Sequence, residues 1–245
     1  MRWKTLFNES FTADNINDIL KDLAKAYKKI SSTPAEITLV GGAAILINYG
    51  FRQQSNDVDA IIHASSAMKD AANIVGDKRS LPYGWLNSEF KNTDSYTPKI
   101  EQYSVHYREY SHILKIRTLP PEYIAAMKLM SGRPYKHDLS DFVGILYEQY
   151  EKGEPLSEEQ VYNAFVNLYD DIKRMPENSY DLMLSAFETD DLAELMERTK
   201  SKEEKNRKLL KAFENKYEGV LNEGNLSEIL EQLEKKQDSS YPDFE

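Results

Sequence analysis

With 245 residues, 40% of them apolar and 29% charged, the chain has the composition of a soluble globular protein and the length for one large domain or two ordinary ones. It holds no cysteine, which excludes disulfides, thiol catalysis and Cys-ligated zinc. The net charge of −10 is unevenly placed: residues 1–150 carry 18 Lys/Arg against 17 Asp/Glu and residues 151–245 carry 13 against 24, so the acidity argues only against the C-terminal part as a nonspecific nucleic-acid surface.

The N-terminal stretch MRWKTLFNES lacks the apolar run of a signal peptide. The longest apolar run, Ile37 to Ile47, is too short to span a bilayer. A cytoplasmic protein with no membrane partner is expected. Ile16, Ile19, Leu20, Leu23, Ala24 and Tyr27 then recur at helical spacing, with Thr12 or Asp14 as the cap. EITLV reads as a short buried strand. The Gly41-Gly42 pair follows, then a helix from Ala43 to Tyr49 stopped by Gly50. VDAII reads as a second strand, and SSAMKDAANIV as a helix with Met68, Ala71, Ala72 and Val75 inward.

LPYGWLNSEFKNTDSYTP, punctuated by Pro, Gly and Asn, reads as a loop. Its Tyr83 and Trp85 could stack on a base or pin the loop to the core, and the second is the expectation. KIEQYSVHY and HILKIRTL read as a hairpin around REYS. Pro121 and Glu122 open the helix PEYIAAMKLM, and HDLSDFVGILYEQY starts another. Beyond EKGEPLS the chain is almost wholly helical, in four segments beginning at Ser157, Asp181, Lys202 and Asn225, with QDSSYPDFE as a frayed end. The expected architecture is α/β: a mixed, twisted sheet of four or five strands flanked by helices over residues 1–150, then an acidic α-helical region over 151–245.

Asp57 and Asp59 stand two positions apart in a strand otherwise made of Val, Ala and Ile, so strand alternation points both to one face. Two such carboxylates raise each other's pKa unless a cation sits between them. Magnesium suits the pair, because it takes carboxylate oxygens and fills its remaining positions with water and phosphate. The Gly41-Gly42 turn leading into a helix offers backbone N–H groups to an anion. Metal acids and a phosphate cradle together outline a triphosphate site.

The Gly-Gly turn followed by Asp-x-Asp resembles the polymerase-β-type nucleotidyltransferase signature. LKIRTLPPEYIAAMKLMSGRPYKHDLSDF is similar to the second half of the AbiEii and MenT-like bacterial nucleotidyltransferases. There a helix bearing a lysine precedes an Arg, a basic residue with Asp, and a further Asp. Those features fall here on Lys128, Arg133, Asp138 and Asp141. The resemblance implies Mg2+ on Asp57 and Asp59 and an NTP triphosphate on the N–H groups of Gly41 and Gly42. It implies phosphate charge met by Lys128 with Arg133, and Asp138 as metal ligand, base or orienter of Lys128. Glu101 and Glu109 are the nearest candidates for a third metal-binding carboxylate. The implied function is nucleotidyl transfer to an RNA 3′ end or a protein hydroxyl, as the toxin of a toxin–antitoxin pair, which makes an antitoxin protein a partner.

Blander readings stand beside these. Lys128 could lie on a wet helix face, Asp138 could cap the helix that starts at Leu139, and Asp141 could favour its positive end. The basic residues from Lys200 to Lys211, interleaved with Glu203 and Glu204, read as a solvated face. The four histidines show no metal-ligand spacing. The alternative functions are an aminoglycoside-type transferase, which the acidic C-terminal part would suit, and a catalytically inactive binding module.

Overall fold

The computed structural model describes residues 11–222 and 224–238; MRWKTLFNES and the last seven residues of the expected frayed end lie outside them. The described residues open with β1 (Phe11–Thr12) and α1 (Ala13–Ile30). Thr12 caps α1 in a capping box, accepting from the Asn15 amide while Asn15 accepts from the Thr12 amide. There follow β2 (Ala35–Leu39), α2 (Gly41–Asn48), β3 (Gln54–Ser55), β4 (Val58–His63) and α3 (Ala67–Arg79). Next come β5 (Leu86–Asn87), α4 (Ile100–Tyr103), β6 (Val105–Tyr110), β7 (Leu114–Thr118), α5 (Pro121–Ser131) and α6 (Asp138–Glu151). The remaining described elements are helices, among them α7 (Glu158–Tyr169), α8 (Glu177–Glu188), α9 (Leu192–Lys216) and α10 (Leu226–Asp238).

Five strands form one mixed sheet in the order β5-β4-β2-β7-β6, and β1 pairs with β3 in a separate small ladder. β2 runs antiparallel to β4 and parallel to β7, and β6–β7 is the expected hairpin. Its turn falls at Ser111 and His112, both at positive φ, so only the last residue of REYS lies in the turn and the first three extend β6. The first half of KIEQYSVHY is helical, not extended: α4 makes one turn there and Ser104 leads into β6.

β4 shows how the sheet partitions the core. Val58 and Ala60 join the apolar cluster under α1 and α3, whereas Ile61 joins the cluster built from α2, α5 and α6. By alternation Asp59 shares the Ile61 face, so it looks toward α5 and α6. That second cluster continues through Phe165, Tyr169, Met183 and Leu195, and so one core crosses residue 150. Trp85 is buried, stacks on Phe11 and donates Nε1 to the Ala72 carbonyl at 2.9 Å, which pins its loop to α3; Tyr83 is exposed.

The C-terminal helices divide differently from the sequence pattern. The segment expected from Asp181 to Thr199 breaks at residues 189–191, where Asp191 caps α9 through its bond from the Glu194 amide. α9 then runs unbroken to Lys216, because nothing at Thr199–Ser201 stops a helix: neither Gly nor Pro lies there. Among the described residues no helix is long and apolar enough to cross a membrane.

Candidate active site

Where β2 ends and α2 begins, Gly41 and Gly42 form the first turn of the helix, two residues earlier than the apolar pattern suggests, with Val40 as N-cap. Gly41 adopts φ +57°, and a Cβ there would lie 3.4 Å from Asp59 Oδ2. At Gly42 a Cβ would sit 2.4 Å from Ser55 Oγ, so the Ser55 hydroxyl occupies the space a side chain would need and would have to move for one. The amides of this first turn have no partner within the helix and border a cavity of about 560 Å³. Asp57, Asp59, Lys128, Arg133 and Asp138 line the same cavity.

Asp57 lies one residue before β4 rather than in it, but it faces the cavity with Asp59. Neither carboxylate makes a side-chain hydrogen bond or ion pair among the described residues, and Asp59 Oδ1 is buried without a partner. Burial and then the Asp57 charge push Asp59 up to about 7. Burial also raises Asp57, against the pull of Lys136 and Arg52. An orphaned carboxylate oxygen beside a second strained carboxylate suits a divalent cation. Among the described residues no cluster of three or more His, Asp or Glu forms a complete metal site. Phosphate oxygens and water would have to complete the shell.

Glu101 and Glu109 do not supply a third ligand. Glu101 meets His63 at the far end of β4, at 2.9 Å, and Glu109 meets His112 near the hairpin turn; neither lines the cavity. Where β7 ends, Leu119 borders the cavity instead. The additional carboxylate that does face Asp57 is Glu89, from the loop after β5.

The opposite wall is basic and braced. Lys128 is buried, not on a wet face: Nζ reaches Asp138 Oδ1 at 3.1 Å and Asp141 Oδ2 at 2.7 Å. Arg133 Nε donates to Asp138 Oδ2 at 2.6 Å, and Arg52 pairs with Asp141. Asp138 is the first residue of α6, with His137 as N-cap, so capping is not its role. Burial alone would raise Asp138, but Arg133 and Lys128 outweigh it and hold the carboxyl well below the usual range. Burial, then the neighbouring Arg133, lowers Lys136 to about 8.

A family model described as "Nucleotidyltransferase of unknown function (DUF6036)" matches residues 17–176. The chain belongs to this nucleotidyltransferase family. Neither a curated protein nor a solved structure matches it. The family span holds the glycine turn, both aspartates, Lys128, Arg133 and Asp138, and it ends before α8.

α9 nevertheless takes part in the site of this family member. Glu203 is buried and accepts from the Leu139 and Ser140 amides at 2.9 and 3.2 Å, capping α6 from outside. Asn206 donates to the Pro134 carbonyl at 3.0 Å, and Arg207 Nη2 contacts His137 Nε2 at 3.0 Å. Burial raises Glu203 to about 8, and burial followed by the Arg52 charge lowers His137 to about 4. Part of the charge run from Lys200 to Lys211 is therefore a clamp on residues 133–141. The i, i+4 spacing of Glu203 and Arg207 with Asn206 between them puts all three on one face. Solvated helices show the same spacing, so it carries no signal by itself.

Proposed function

We propose that this cavity carries out magnesium-dependent transfer of a nucleotide from an NTP to a hydroxyl acceptor, either an RNA 3′ end or a protein hydroxyl. The observation that supports it most is the unpaired Asp57–Asp59 couple facing braced cations across one cavity. A divalent ion on the two aspartates would supply Lewis-acid polarisation of the reacting phosphate. Gly41 and Gly42 would donate first-turn amides to phosphate oxygens, and the nearby Ser55 hydroxyl adds a donor. Lys128 and Arg133 would meet the charge that builds on the departing phosphates. Of the three roles open to Asp138, orienting Lys128 and Arg133 fits best. A carboxyl held so far below neutrality is a poor base, and each of its oxygens already engages a cation. The resemblance to AbiEii and MenT-like proteins extends the proposal to the toxin of a toxin–antitoxin pair, with an antitoxin protein as partner.

A second reading has one observation in its favour. Glu89 and Asp94 line the cavity from the loop after β5, and their charge would attract a cationic small molecule such as an aminoglycoside. One experiment separates these readings: the protein is incubated with each labelled NTP, magnesium, total tRNA, lysate protein and an aminoglycoside. Label on RNA or protein that needs magnesium and disappears in D57N and D59N is the expected result. Label on the drug moves the assignment to the second reading. NTP binding without transfer to any acceptor leaves a binding module.

A further inference from the structure

Arg52 is held at two of its three nitrogens and free at the third. Nε donates to the Gln54 carbonyl at 2.9 Å, and Nη1 pairs with Asp141, whose Oδ2 also takes Lys128 Nζ at 2.7 Å. Nη2 has no partner among the described residues, yet it is not sealed off: Arg52 borders the cavity, and Nη2 is not one of the enclosed, unbonded atoms. A planar guanidinium with two nitrogens fixed has its third already aimed before any ligand arrives.

Its aim is the first turn of α2. A Cβ at Gly42 would lie 3.1 Å from Arg52 Nη2 and 2.4 Å from Ser55 Oγ, so the two donors flank one point beside the turn. Ser55 is buried, 5% exposed, and its hydroxyl has no partner among the described residues either. No side chain caps α2: Val40 stands at the N-cap, and the amides of Gly41, Gly42 and Ala43 find no acceptor in the helix. Against the same turn, a Cβ at Gly41 would lie 3.4 Å from Asp59 Oδ2. Helix amides, a hydroxyl and a guanidinium nitrogen thus converge next to Asp59, all of them donors without an acceptor. Leaving such donors unmet is costly, and a tetrahedral oxyanion has the oxygens to meet all three kinds together.

We propose that Arg52 is a substrate-binding residue: its Nη2 donates to a phosphate seated on the glycine turn beside Asp59, while its Nη1 stays on Asp141. This rests on the NTP reading given above, and the shared Asp141 ties the new contact to Lys128. The test is calorimetric titration of the full chain, in excess magnesium, with the four nucleoside triphosphates and with inorganic pyrophosphate, the group that nucleotidyl transfer releases. R52Q should weaken the preferred triphosphate and pyrophosphate by about tenfold each, the loss of one charge-assisted contact. R52K separates binding from bracing and also covers an R52Q protein that fails to fold. Lysine has a single nitrogen, which buried Asp141 claims. R52K should therefore have the wild-type melting temperature and still bind both ligands about fivefold less tightly than wild type. Wild-type affinity in R52K overturns the proposal, because a group that only braces Asp141 is replaced by any cation. Wild-type protein that binds a triphosphate, with R52Q and R52K unaltered, removes this inference alone. Wild-type protein that binds pyrophosphate but no triphosphate, with the loss in R52K, keeps Arg52 as an oxyanion ligand and removes the NTP reading. Wild-type protein that binds neither removes both.

Discussion

Asp57 and Asp59 on one side of the cavity and Asp138 and Asp141 on the other are both carboxylate pairs, the first half-buried and the second buried, and their charges are met in opposite ways. The first pair has no cation in contact, and burial with mutual repulsion raises Asp59 to about 7. The second pair is more deeply buried and touches Lys128, Arg133 and Arg52, and Asp138 stays far below the usual carboxylate range. Burial therefore does not decide the state of a carboxylate here; the supply of partners does. The Asp138–Asp141 pair is finished by the protein itself, and it fixes three cations at the cavity wall. The Asp57–Asp59 pair has no such partner, and under the proposed function a divalent cation would complete it.

Removing one partner from the finished pair should have the largest effect on stability. D138N leaves Arg133 without its carboxylate and Lys128 with Asp141 alone, and should cost about 3 kcal/mol by urea denaturation. A loss as small as that of an ordinary surface substitution would show that the brace is ornamental.

The unfinished pair should respond with the opposite sign. Folded Asp59 holds its proton more tightly than the unfolded chain, whose carboxyl titrates near 3.8, so its ionisation costs stability as pH rises from about 4 to about 7. In chelator-treated protein D59N should be more stable than wild type by about 2 kcal/mol at pH 8, a figure discounted for coupling to Asp57, and nearly equal to it at pH 4. A D59N protein that is less stable at pH 8 would contradict the electrostatic contrast. The same variant should abolish magnesium-dependent transfer.

The smallest effect concerns the clamp that holds the finished pair in place. E203A removes the acceptor for the Leu139 and Ser140 amides at the start of α6 and should cost about 1 kcal/mol, the usual weight of a lost helix cap. E203Q keeps an acceptor oxygen. Since burial raises Glu203 to about 8 from an ordinary 4.5, wild type should lose stability between those pH values, and E203Q should not show that part of the slope. Thermal melts of the three proteins across this range measure both effects; identical pH slopes for wild type and E203Q would place the Glu203 proton elsewhere.

The sequence by itself determined what depends on near neighbours along the chain. The apolar spacing of α1 and α3, the Thr12 cap, the strand VDAII and the inward Trp85 follow from periodicity and local chemistry, and the structure has each of them. The Asp57–Asp59 spacing after a glycine pair was legible for the same reason, since two residues of alternation place both acids on one side. What only the tertiary structure decided depends on residues distant in sequence. The resemblance makes Lys128 a site lysine, but its helical pattern alone fits a wet face equally well, and only the structure shows Asp138 and Asp141 folded back onto it. Glu203, Asn206 and Arg207 read as a solvated charge run until α9 lies against α6, and their bonds span separations of 63 to 72 residues. A charged side chain at helical spacing has the same local pattern whether water or a buried partner meets it, and only the packing of one helix against another supplies the partner.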